Sequence, residues 1–141
     1  MVRLTGNDTV SFAIHEGEFL DQNTVVIKNE SDEPAEIAAK LSNDVDKEGY
    51  TQANVKLQGN LIKLSGDNSG VVNGDVIISG ADVEFAGNKS MFQAPLSVVN
   101  NSKVKISGDV NHRHDITVDK NSQLEIKSNV TLSGGVFKFG C

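Results

Sequence analysis

The sequence predicts an all-β chain, a parallel β-solenoid of about four coils of 20–21 residues behind an N-terminal cap. Three observations predict it. The first is composition: of 141 residues 13 are Gly and two are Pro, aromatics make up 5%, and there is no Trp. Val, Asn, Ser and Gly take the places that Leu, Ala and aromatics hold in an average globular chain, which favours strands and turns over helices. The second is a recurring motif: Ile62-Lys63-Leu64-Ser65-Gly66-Asp67, Val83-Glu84-Phe85-Ala86-Gly87-Asn88, Val104-Lys105-Ile106-Ser107-Gly108-Asp109 and Leu124-Glu125-Ile126-Lys127-Ser128-Asn129. Their first residues are 21, 21 and 20 apart, and a fixed period near 20 marks a solenoid. The third is the charged middle position, which reads Lys63, Glu84, Lys105, Glu125. Stacked in register, these side chains form an outward column of alternating sign, whereas like charges directly opposite one another would repel.

The elements follow in chain order. Val10-Ser11-Phe12-Ala13-Ile14 alternates like a strand, His15-Glu16-Gly17-Glu18 reads as an acidic turn, and Val25-Val26-Ile27 reads as a second strand. Glu33–Leu41 is open to two readings. Pro34 followed by good helix formers suits a two-turn helix, whereas Ile37, Ala39 and Leu41 at alternate positions suit a strand. Ser42–Gly49 is an acidic loop. Residues 1–53 are therefore expected to form a cap of mixed strands and a short helix that shields an open edge of the stack. Residues 54–141 carry the repeats. Val55/Leu57 and Val76/Ile78 are 21 apart, Val98/Val118, Asn101/Asn121 and Ser102/Ser122 are 20 apart, and Val71/Phe92 are 21 apart. Period-two alternation turns the apolar residues of each strand to one face, and Gly or Asn after the strand permits a sharp corner. One coil cannot bury its inner face; stacking coils at about 4.8 Å builds a continuous core.

Charge narrows the function. Residues 1–50 hold 11 acidic against 4 basic side chains, and the rest hold 8 against 9. That balance disfavours nucleic acid and an anionic membrane surface, both of which need clustered Lys/Arg. The longest apolar runs, such as Val76-Ile77-Ile78, fall far short of the roughly 18–20 residues of a membrane span. The single cysteine, Cys141, makes neither an internal disulfide nor a structural zinc site, and it does not fix the compartment.

Candidate chemistry is sparse. His112-Arg113-His114-Asp115 is the one concentrated titratable cluster. On a strand His112 and His114 would share a face and could hold a transition metal, but the repeat aligns Asn111–Asp115 with a loop, and a solvated loop is the favoured reading. Asp67, Asn88, Asp109 and Asn129 recur once per coil, too sparsely for a calcium-binding nonapeptide, and read as corner residues. His15 with Glu16 and Glu18 lies in a turn, and Gly66-Asp67-Asn68-Ser69-Gly70 lacks the Lys-Ser/Thr of a phosphate loop. No catalytic residue and no cofactor is expected.

Repeats of this texture, with cores such as Val-Lys-Ile-Ser-Gly-Asp at 104–109 and Asn-Val-Thr-Leu-Ser-Gly at 129–134, resemble right-handed parallel β-helices in the style of bacterial autotransporter passengers and filamentous haemagglutinin-like adhesins. The resemblance covers about residues 54–140. It implies a secreted or cell-surface location, a non-catalytic stalk or adhesin role, and a host-surface or self-association partner. Two other groups are similar. Val72-Asn73-Gly74-Asp75-Val76 is in the style of bactofilins, cytoplasmic β-helical polymers, and the absence of an apolar h-region after Met1-Val2-Arg3-Leu4 suits them better. Intertwined phage tail spikes are the third.

Overall fold

The computed structural model describes residues 9–11, 13–15, 24–43, 50–71, 74–127 and 130–140. All regular structure among them is β, and parallel strands stack as a β-solenoid of about four turns.

The strands in chain order are β1 (Thr9–Ser11), β2 (Ala13–His15), β3 (Thr24–Asn29), β4 (Ala35–Ile37), β5 (Lys40–Ser42) and β6 (Tyr50–Gln52). The repeat region follows with β7 (Asn54–Leu64), β8 (Gly70–Val71), β9 (Val76–Phe85), β10 (Ser90–Phe92), β11 (Leu96–Val99) and β12 (Lys103–Ile106). It ends with β13 (Val110–His112), β14 (Ile116–Val118), β15 (Gln123–Ile126), β16 (Val130–Leu132) and β17 (Phe137–Phe139).

Pairing sorts these strands onto three faces. The first face stacks β3, the first half of β7, the first half of β9, β11, β14 and β17; the second stacks β4, the later halves of β7 and β9, β12 and β15. The third stacks β1, β5, β8, β10, β13 and β16. β7 and β9 run through the corner between the first two faces without a break, turning at Gly59 (φ 93°) and Gly80 (φ 62°). The next coil makes the same corner with Asn100 and Asn101, at φ 59° and 61°, where the short amide side chain tolerates the left-handed conformation.

The core is a set of apolar columns running along the stack. Val55, Val76, Leu96 and Ile116 form one, Leu57, Ile78, Val98 and Val118 a second, and Leu64, Phe85 and Ile106 a third. Each such Val, Leu or Ile, fully buried, contributes roughly 1.5–3 kcal/mol relative to exposure. The motif's glycine is explained by the coil above it. A Cβ on Gly87 would meet the Gly66 carbonyl oxygen at 2.0 Å, and one on Gly108 would meet that of Gly87 at 2.2 Å. At Gly87 and Gly108 the stacked backbones approach too closely for any side chain.

The stack begins earlier than the repeat. Residues 24–42 form a coil of their own: Val25 pairs with Val55, Ala35 with Ile62, and Ser42 with Gly70, all parallel. Glu33–Leu41 is thus not helical but forms the two short strands β4 and β5 around a bend. Ala35, Ile37, Ala39 and Leu41 are all buried while Glu36 and Lys40 are exposed, so lateral pairing and burial override helix propensity. Asn29 ties this coil to the next, its Nδ2 donating to the carbonyls of Glu33 and Leu61, each at 2.9 Å. β2 and β6 pair antiparallel, Ala13 opposite Gln52, apart from the parallel stack. Residues 16–23 lie outside the described residues, as do Ser128, Asn129 and Cys141.

Candidate functional site

A broad concavity of about 660 Å³ lies on the outside of the second face and is walled by Pro34, Leu61, Asp82, Glu84, Lys103, Lys105, Gln123 and Glu125. Its geometry follows from strand alternation. Along β12, Val104 and Ile106 point into the core while Lys103 and Lys105 point out. Parallel register repeats this in every coil, so the outward residues form two columns. In one, Lys103 stands between Asp82 and Gln123. In the other, Glu36, Lys63, Glu84, Lys105 and Glu125 are direct neighbours in turn. The expected alternation of Lys63, Glu84, Lys105 and Glu125 is therefore present and extends by one, to Glu36.

These charges are ordered but not clamped together. Among the described residues no ion pair within 4.0 Å joins neighbours of the column. Two carboxylates are held instead by serines of the following corner. Ser65 Oγ donates to Glu36 Oε1 at 2.8 Å and Ser107 Oγ to Glu84 Oε2 at 2.6 Å. Lys127 Nζ lies 3.5 Å from Glu125 Oε1 on the same strand end. The face thus presents alternating cationic and anionic groups at about the 4.8 Å strand spacing. It can meet an extended polar ligand along its length, but it does not converge on one point as a nucleophile–base set must.

The corner residues form their own ladder. Asp67 Oδ1 accepts the Asn88 N–H at 2.9 Å, and Asn88 Oδ1 accepts the Asp109 N–H at 3.2 Å. Each side chain satisfies a backbone donor of the next coil, so Asp67 and Asn88 do the corner work expected of them. Ser122 and Ser102 act likewise at another corner. Ser122 Oγ accepts the Ser102 N–H and Ser102 Oγ accepts the Ala81 N–H, both at 3.1 Å.

The histidine pair is separated. His112 ends β13 and points into the core, at 2% exposure, between Phe92 and Leu132 of the coils on either side. Its ring lies 6.2 Å from that of Phe92, and its Nε2 is 3.3 Å from the Asp115 carbonyl oxygen. It borders a void of about 10 Å³ lined by Phe85, Phe92, Ile106, Ile116 and Val130 among others, near the lower limit for one water. His114 sits on the exposed corner, where its Nδ1 accepts the Asp115 N–H at 2.8 Å. The shared face that a metal-binding pair would need is absent because the strand stops at His112, and the bend at His114 breaks the period-two alternation. Nor is residue 112 part of a solvated loop: Val110–His112 is a strand. No group of three or more His, Cys, Asp or Glu is placed to hold a metal ion among the described residues.

Burial of the His112 imidazole lowers its pKa below 6.5, because the charged ring would lose its hydration; the Asp115 carbonyl opposes this in part. The Asp115 carboxyl is lowered as well, by charge and hydrogen bonding instead of burial. The Lys138 ammonium, 2.9 Å from Oδ2, and the Val136 N–H on Oδ1 hold its carboxyl below the usual carboxylate range.

No protein family, curated protein or solved structure matches the chain.

Proposed function

We propose that this chain is a non-catalytic, adhesin-type segment of a bacterial surface-exposed or secreted β-helix protein, and that it binds along an open strand face. The observation that carries this reading is the second face. Its outward side chains form two ordered columns, one over five coils and one over three, and they are spread along the stack rather than gathered at one point. The remaining order in the described residues goes into the scaffold: apolar columns, corner ladders and glycine contacts. A host-surface glycan or protein laid across the strands would meet alternating charge at each step.

The test is saturable binding of the purified chain to cultured host cells. Lys103→Glu/Lys105→Glu, on the exposed side of β12, should abolish binding while the chain stays folded by circular dichroism. Absence of saturable binding, or turnover of a polysaccharide, would contradict the reading. Regular filaments by electron microscopy would favour the cytoplasmic polymer instead.

A further inference from the structure

We infer that the coil around His112 is an acid-labile joint: on acidification β13 and the strands after it come away from β10, β11 and β12, while the coils from β7 to β12 stay stacked. Among the described residues His112 is the one titratable side chain in the core. Every other buried side chain is apolar or a neutral Asn or Ser. Neighbouring coils fill the same inward position with Phe92 and Leu132, so neither packing nor register calls for an imidazole there.

The ring has no counter-ion. The side chains around it are Phe85 of β9, Phe92 of β10, Ile106 of β12, Ile116 of β14, and Val130 and Leu132 of β16, none of which titrates. The charged groups nearest to it lie on the bend that follows, at Arg113, His114 and Asp115. Arg113 and His114 are exposed, and the positive charge of a protonated His114 would oppose a second one on His112. The Asp115 carboxylate is already engaged by Lys138 at 2.9 Å and by the Val136 N–H at 3.1 Å. The adjoining void of about 10 Å³ is near the size of a single water, too small for the hydration shell that a cation needs. A protonated ring therefore reaches water only if β13 leaves its place.

The break is local because each coil is held by its neighbours. Freeing His112 opens the pairings β10–β13, β11–β14 and β12–β15. The pairings of β9 with β7, β11 and β12 are left whole, and they bury no titratable side chain. The ring also braces the bend beyond it, since its Nε2 lies 3.3 Å from the Asp115 carbonyl oxygen. Asp115 in turn ties down the following coil through Val136 and Lys138. Loss of the ring from its site thus loosens the corner that holds β17 in place.

The test is amide hydrogen exchange of the full chain at about pH 7.5 and about pH 5, corrected for the intrinsic pH dependence of exchange. Amides of Val110–His112 and Ile116–Val118 should lose protection on the acid side. The loss has a ceiling of roughly thirtyfold, the gain in proton binding at about pH 5 of a group that titrates at 6.5 once exposed. At the lower pH these amides should exchange at least roughly tenfold faster than those of Val76–Ile78 and Val83–Phe85. His112→Leu, which takes the residue of the next coil, should remove the acid loss. His112→Gln, neutral throughout and still a donor for the Asp115 carbonyl, should do the same. His114→Leu, on the exposed side of the same bend, should keep it. A wild-type chain without the loss, a loss that persists in both His112 variants, or equal protection of β9 and β14 at the lower pH would overturn the proposal.

Discussion

Ile106 and Ile126 occupy the same position of the repeat in neighbouring coils, one at 2% and the other at 43% exposure. The strands and the local sequence are alike; the difference is that Ile106 has a coil on both sides and Ile126 on one. In this fold, a residue's contribution is set by its place in the stack as much as by its type. That is the behaviour of a quasi-one-dimensional structure held by nearest-neighbour interfaces.

The largest expected effect breaks the comparison at its buried side. Ile106→Asp places an unpaired charge between coils and should abolish cooperative unfolding by circular dichroism. Ile126→Asp should leave the fold intact, with a loss of about 1 kcal/mol or less. Equal melting temperatures for the two variants would contradict the stack. Next is Gly87→Ala. Its Cβ would run into the Gly66 carbonyl, forcing two coils apart at about 1–3 kcal/mol by chemical denaturation. At Gly80 the nearest atom to an added Cβ is 3.8 Å away, so Gly80→Ala should carry only the left-handed backbone cost of about 1–2 kcal/mol.

The buried side also predicts a pH dependence. His112 has a folded-state pKa lowered from 6.5, so the unfolded chain binds its proton more readily. Its neutral form is compatible with full stability above pH 6.5, and stability falls as the pH drops from there towards the folded-state pKa. Asp115 and Asp119, whose pKa values are lowered from 3.8, add their loss only below that value. Melting curves from pH 7.5 to 4.5 should therefore show a decline that His112→Leu removes. A decline unchanged in that variant would assign it elsewhere. The smallest effect is on the outward column. Lys105→Glu faces Glu84 and Glu125 and should cost about 0.4–2 kcal/mol, whereas Glu125→Lys disturbs one neighbour in the column and should cost about half as much.

Legibility followed the regularity of the corners. From residue 54 onward corners of nearly constant length keep the period at 20–21, so the motif, the charge column and the Asp67/Asn88 ladder could all be read from spacing. The coil at 24–42 was hidden because its partners lie 30, 27 and 28 residues on, at Val25–Val55, Ala35–Ile62 and Ser42–Gly70. Unequal connections erase a period without changing the pairing. For Glu33–Leu41, helix propensity competed with alternation, and the lateral neighbours that decide the matter are remote in sequence. His112 was legible in principle, since it stands 20 residues after Phe92 and 20 before Leu132, in an apolar column. Its titratable neighbours at 113–115 obscured that signal. The groove on the second face was visible only as its charge column, because its walls come from separate coils.

The most direct measurement of the central claim is residue-by-residue amide hydrogen exchange in the chain. Protection should be greatest for strand amides of β7, β9, β11 and β12, fall through β14 and β15, and be lowest in β17. Val25–Ile27 of β3 should be protected as members of the stack. Equal protection from β7 to β17, or unprotected amides at Val25–Ile27, would contradict a solenoid whose coils are stabilised by their neighbours and which starts at β3.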